Sequence, residues 1–253
     1  GDAAAARTLQ QDVLDARRRI LGDDHPDTLT AKNNLAGSLR ALGDAAAART
    51  LQQDVLDARR RILGDDHPST LTAKANLAAS LWALGDAAAA RTLEQEVLDA
   101  RRRILGDDHP DTLTAKANLA GSLRALGAAA AARTLEEEVL DASRRILGDD
   151  HPDTLTAKAN LAGSLRALGD AAAARTLQQD VLDASRRILG DDHPDTLTAK
   201  NNLAVDAWNS GEHEVAIDLT ASALADAKAR HGEEHPVTVH LSGLLAQMHE
   251  ARR

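Results

Sequence analysis

Apolar residues recur along the chain with a helical period and break at regularly spaced glycines, a pattern that predicts a repeated pair of helices. In residues 1–42, Leu9, Val13, Ala16 and Ile20 follow at spacings of four, three and four, which puts them on one helix face, with Ala6 a turn earlier. A second stretch, Pro26 to Leu42, sets Leu35, Leu39 and Leu42 on one stripe with Ala31 and Ala36 beside it. Both stretches are rich in strong helix formers and lack an internal proline. Gly22 and Gly43 follow them, where a left-handed residue closes a helix and glycine has no Cβ to clash. Pro26 suits a first helical turn and Asp27 complements the positive helix end, so Asp23-Asp24-His25-Pro26 reads first as a helix start.

The whole unit then repeats. Near-copies begin at Gly43, Gly85, Gly127 and Gly169. A diverged copy at Gly211 keeps the register, with Leu219, His235 and Pro236 where Leu9, His25 and Pro26 fall. Residues 1–210 are thus expected to form five near-identical helix pairs and residues 211–253 a diverged sixth acting as a C-terminal cap. One pair cannot bury its own apolar face, so neighbouring pairs must stack, and an all-α solenoid of about twelve helices follows. Charge pairs such as Asp15 with Arg18 and Arg19, or Arg133 with Glu137, are expected on the outer face. The run Glu136 to Glu138 reads as a solvated face.

Composition alters this picture mainly by exclusion. Trp82 and Trp208 are the only aromatic residues and there is no cysteine, which removes disulfide scaffolds and thiolate chemistry. Apolar runs fall far short of the ~20 residues of a membrane span, and no basic segment followed by an apolar stretch opens the chain; no membrane partner is expected, and a cytoplasmic location is. A net charge of −9 argues against nucleic acid as a partner. The six units carry 0, 0, −1, −2, −3 and −3, so a basic partner would be steered toward the C-terminal end. Without a phosphate-cradling glycine loop, a nucleophile elbow or a thiol, neither enzyme activity nor a cofactor is expected. His25, His67, His109, His151, His193 and His235 each follow two acidic residues. Copies a helix pair apart are separated by about 10 Å or more and cannot converge to the ~2.0–2.2 Å of zinc ligands. His231, His235 and His240 lie closer but straddle a glycine-containing turn, and no metal is expected there either.

Asn33-Asn34-Leu35-Ala36, Leu39, Gly43-Asp44, Ala48, Leu51 and Val55-Leu56 together resemble the tetratricopeptide repeat (TPR) pattern. The likeness is to the 42-residue form found in kinesin light chains and in repeat arrays of actinobacterial signalling proteins, and it covers essentially the whole chain. It implies a right-handed α-solenoid in which Asp27–Leu42 is helix A and Asp2–Leu21 helix B, so this chain starts on a B helix and ends on an A helix. Leu39, Ala45 and Gln52 stand where the family usually has large aromatics, and closer helix packing is expected.

The resemblance also implies a concave surface lined by A helices, on which an early Asn bonds the backbone of an extended peptide. The matching positions are Asn34, Asn76, Asn118, Asn160 and Asn202, one residue after Asn33 and Asn201 in the units that have them. Two turns later come Arg40, Trp82, Arg124, Arg166 and Trp208. An amide offers a donor and an acceptor to a peptide bond, Arg can fork onto a carboxylate, and Trp can anchor a partner. The same Asn can instead bond its neighbouring helix, the Arg can be a solvated face, and the Trp can pack on a helix.

Two readings of function follow. In the first, the chain is a protein-interaction module holding an extended peptide or partner helix in its groove. In similar actinobacterial arrays such repeats form the sensing arm beside a nucleotide-switch domain. In the second, it is a structural or designed scaffold whose ends stack head to tail through Leu241, Leu244, Leu245 and Met248, giving dimers or filaments. The opening in repeat phase, without a capping segment, reads as a piece of a longer chain or a consensus array.

Overall fold

The computed structural model describes residues 3–252; Gly1, where the first repeat begins, Asp2 and Arg253 lie outside them. Twelve α-helices and no strand occur among the described residues. They divide into two compact units. Residues 1–127 hold α1 (Ala3–Leu21), α2 (Pro26–Ala41), α3 (Ala45–Leu63), α4 (Pro68–Ala83), α5 (Ala87–Leu105) and α6 (Pro110–Ala125). Residues 128–253 hold α7 (Ala129–Leu147), α8 (Pro152–Ala167), α9 (Ala171–Leu189), α10 (Pro194–Asn209), α11 (His213–His231) and α12 (Pro236–Ala251). Within each unit every helix packs on the next, the stacking of an α-solenoid. Odd-numbered helices are B helices of 19 residues, even-numbered ones A helices of 16.

Local chemistry sets the helix ends. Each A helix opens with a proline, and the histidine before it is the N-cap: His25 Nδ1 accepts from the Asp27 N–H at 3.2 Å, and His67, His109, His151, His193 and His235 do the same. The ring nitrogen thereby satisfies one of the amides a helix start leaves unpaired. At the A-helix end, Gly43 N–H donates to Arg40 O at 3.0 Å and Asp44 N–H to Leu39 O at 2.8 Å, a Schellman motif with Gly43 at a φ of 85°. Asp44 then turns and caps α3, its Oδ1 accepting from Ala47 N–H. The glycine after the B helix behaves otherwise. Gly64, the counterpart of Gly22, has φ 86° and ψ 167°, an extended conformation with positive φ that is open to glycine alone.

The core follows the expected period with several corrections. Val55, Leu56, Ala58, Ala73, Leu77 and Ala78 form one buried cluster in the first unit, and Val181, Leu182, Ala184, Ala199 and Leu203 its equivalent in the second. The Leu14 counterparts, absent from the predicted stripe, are central: Leu56 is 2% exposed. Ile20 and its counterparts are not buried; Ile62 is 49% exposed. Ile62 shares the angular position of Val55 but lies in the last turn of a helix three residues longer than its neighbours, where they cover it incompletely. Leu42 follows the end of α2 and is also exposed. Glu136 is buried rather than solvated, as are Gln52 and Gln178 at the same repeat position.

The remaining correction concerns the end of the chain. Leu241 and Met248 are 2% and 5% exposed, packed inside the second unit with Leu197 and Ala223, and with Ala207 and Ile217. They belong to this chain's own core and cannot form a stacking face. Leu244 and Leu245 are half-buried against the Met248 cluster.

Ion pairs also run differently from expectation. Arg133–Glu137 forms at 2.8 Å, but Arg18 reaches forward to Asp23 at 2.7 Å, and Asp15 instead accepts from Gln11. Asp23 also meets Lys32, whose side chain is buried; the pair recurs as Lys74–Asp65, Lys116–Asp107, Lys158–Asp149 and Lys200–Asp191 at 2.8 to 3.2 Å. The second acid of four motifs bonds the next repeat: Arg61–Asp24 and Arg103–Asp66 in the first unit, Arg187–Asp150 and Arg230–Asp192 in the second.

Candidate functional site

The amides on the A helices differ in exposure. Asn34 and Asn118 are exposed; Asn76, Asn160 and Asn202 are half-buried. Two of them meet. Asn160 on α8 and Asn202 on α10 line one cleft of about 320 Å³, with α9 as its floor. Thr156 and Thr198, one turn earlier on the same helices, add hydroxyls. Leu155, Val181 and Ile188 supply apolar wall, and Asp150 and Asp195 stand at its acidic end. Exposed backbone-sized space beside two amides suits an extended chain, which needs a donor and an acceptor at each step. The neighbouring Asn33 and Asn201 point elsewhere: their Oδ1 atoms are buried without a hydrogen-bond partner.

The other predicted series splits. Arg40 is exposed and Arg124 half-buried. Trp82 is 44% exposed and so remains able to meet a partner. Arg166 is committed inside the chain, its Nη1 donating to Asp206 at 2.6 Å. Burial pushes the Asp206 carboxyl up, partly offset by that guanidinium. Asp206 stands where other units have Ser38, Ser80, Ser122 and Ser164, so this pair is particular to the fifth repeat. Trp208 stacks on His213 with ring centroids 4.3 Å apart, and it lines a second, separate cleft of about 210 Å³ with Leu244 and Met248.

Sequence reasoning missed Ser185, Thr156, Thr198 and Ile188 in the main cleft. A signal was present: residue 17 of the unit is Arg in the first three repeats (Arg17, Arg59, Arg101) and Ser in the next two (Ser143, Ser185). Its meaning depends on what Arg101 touches, which periodicity does not report.

Stacked helix pairs with amides on successive A helices define an α-helical repeat scaffold. The sequence profile of the tetratricopeptide repeat matches residues 1–58, 27–103, 75–145 and 153–229, and the chain belongs to the tetratricopeptide repeat family. Comparison with curated proteins found no match. Among solved structures, the chain is similar to the nearly identical TPR-like repeats of a Podosopora anserina protein assigned as a kinesin light chain (26% identity, 82% of this chain and 98% of that one, TM-score 0.70). It shares its fold with BtubC (BKLC) from P. vanneervenii (18%, 93% and 94%, TM-score 0.74). It also shares it with the quorum sensor NprR of B. thuringiensis, solved in complex with its cognate peptide NprX (14%, 99% and 73%, TM-score 0.68). The family is one of protein-interaction scaffolds rather than of catalysts. No helix among the described residues is long and apolar enough to cross a membrane.

Proposed function

We propose that this chain is a protein-interaction module and that residues 128–253 hold an extended peptide in the cleft between α8, α9 and α10. The observation that carries the reading is the convergence of Asn160 and Asn202, a whole repeat apart in sequence, on one cleft with an apolar wall. Each amide would pair with the peptide backbone while a side chain of the peptide enters between them. The fold neighbour NprR, solved with its peptide NprX, lends support. Asn34, Asn76 and Asn118, with Arg40, Trp82 and Arg124, stand at the equivalent positions of α2, α4 and α6, where Arg17, Arg59 and Arg101 occupy the corresponding corners, and Asp206 holds Arg166 away from a ligand.

The test is selection of random twelve-residue peptides on the full chain, followed by calorimetry. Asn160→Ala together with Asn202→Ala should weaken a selected peptide about tenfold or more with helicity unchanged, the scale of losing hydrogen bonds to a buried polar partner. Unchanged affinity in that variant, or no peptide selected at all, would sink the proposal.

A second reading, end-to-end association, is favoured by α1 alone. Leu9 and Val13 are exposed there, whereas their counterparts Leu51 and Val55 are covered. It requires mass by light scattering to rise with concentration and Leu9→Glu to reverse the rise; a constant monomer mass removes it.

A further inference from the structure

In the first three repeats one arginine per unit already occupies a corner of this kind. Arg17, Arg59 and Arg101 each project from a B helix and donate Nη1–H to the carbonyl oxygen of residue 27 of the unit, at 2.8 Å on Asp27, 2.8 Å on Ser69 and 2.9 Å on Asp111. Around Arg101 only about 50 Å³ of space is left. Every residue lining that corner has a counterpart 84 positions later lining the large cleft, and one alone differs in kind: Ser185 replaces Arg101. The other seven are identical. The cleft is therefore the same corner without its resident side chain.

We infer that the cleft between α8, α9 and α10 receives an arginine side chain from the bound peptide, in the place Arg101 fills from within its own repeat. The inference rests on the peptide reading above and specifies the residue that enters. The partner's aliphatic stem would lie on Leu155 and Ile188, the counterparts of Leu71 and Ile104 beside Arg101. Its guanidinium would donate to the Asp195 carbonyl oxygen, which has a second lone pair beyond the one its helix uses. The Asp195 carboxylate lies at the same end and is largely exposed; Asp150 does too, shared with Arg187. Net charge agrees. The repeats that have Ser at this position carry −2 and −3, against 0, 0 and −1 for those with Arg, so the open cleft sits in the part of the chain that attracts a cation.

The probe is N-acetyl-arginine methylamide, titrated into the methyl-labelled full chain and followed by NMR. Saturable shifts are expected at the methyls of Leu155, Val181 and Ile188, about tenfold weaker with the neutral citrulline analogue, which keeps the shape and loses the charge. Ser185→Arg should abolish them, and it should fold, because Arg is the resident at positions 59 and 101. The reciprocal Arg101→Ser should open a new response at Leu71 and Ile104. Equal response to citrulline or to the norleucine analogue, shifts that survive Ser185→Arg, or no response at the three methyls would overturn the arginine assignment. The probe has no peptide chain beyond one residue, so its failure leaves the extended-peptide reading standing on Asn160 and Asn202. Failure of the Asn160/Asn202 variant to weaken peptides does the reverse.

Discussion

In four Gly-Asp-Asp-His-Pro segments the two acids divide their work between one repeat and the next. The first neutralises a lysine that its own A helix buries; the second reaches an arginine of the following B helix. In the fourth repeat Lys158 is 2% exposed and its ammonium has Asp149, at 2.8 Å, as its carboxylate. Asp149→Ala would strand that charge. Removing a partner from a fully buried pair costs ~3–5 kcal/mol. Asp149 is itself more than half exposed, so about 1–3 kcal/mol is expected, read as a lower urea midpoint. Lys158→Met, which keeps the stem, should cost less than Asp149→Ala; the opposite order would show that the pair matters by its packing alone. None of this was legible in the sequence. The helix-start role of His25 and Pro26 could be read locally, but Asp23 and Lys32 meet only because the chain turns between them.

At the scale of the element, helix type and extent were legible nearly to the residue, because period, glycine and proline all point the same way. Burial was less so. The stripe through Leu9, Val13, Ala16 and Ile20 assumes one neighbour along the full helix length, whereas α3 is flanked by the shorter α2 and α4, which draws Leu56 in and leaves Ile62 out. The amide positions came through the family pattern, and two of them do line a cleft. What opens that cleft is a missing arginine, and a small serine gives no apolar or charge signal of its own. Capping yields a further expectation. Asp44, Asp86 and Asp170 cap their B helices, while α7 starts after Ala128 with no side-chain cap. Ala128→Asp should stabilise the chain by about 0.5–2 kcal/mol, seen as a raised thermal or urea midpoint. No gain would mean that α7 starts differently from its counterparts.

For the whole molecule, the repeated acid pairs set the response to pH. Hydrogen bonds from Arg18, Arg60 and Arg102, then from the lysines, hold Asp23, Asp65 and Asp107 below the usual carboxylate range; for Asp149 and Asp191 the lysine dominates. A carboxylate lowered in the folded state contributes stability that is complete above its unfolded value, ~3.9, and is lost as pH falls through the folded one. Glu94 and Asp206, pushed up by burial, act in the opposite sense, but they are two against five. The urea midpoint should therefore fall as pH is lowered below about 4. A midpoint that rises there would mean the buried carboxyls outweigh the paired ones.

Apolar burial makes the repeats stack, and the differences among repeats open the cleft between α8 and α10 to which the proposed peptide is assigned. A crystal structure of the chain with a selected peptide tests this most directly. The account predicts an extended peptide between α8 and α10, its backbone within hydrogen-bonding distance of the Asn160 and Asn202 side chains and one side chain lying over Ser185. A peptide bound away from both amides, or on the outer face of the B helices, would contradict it.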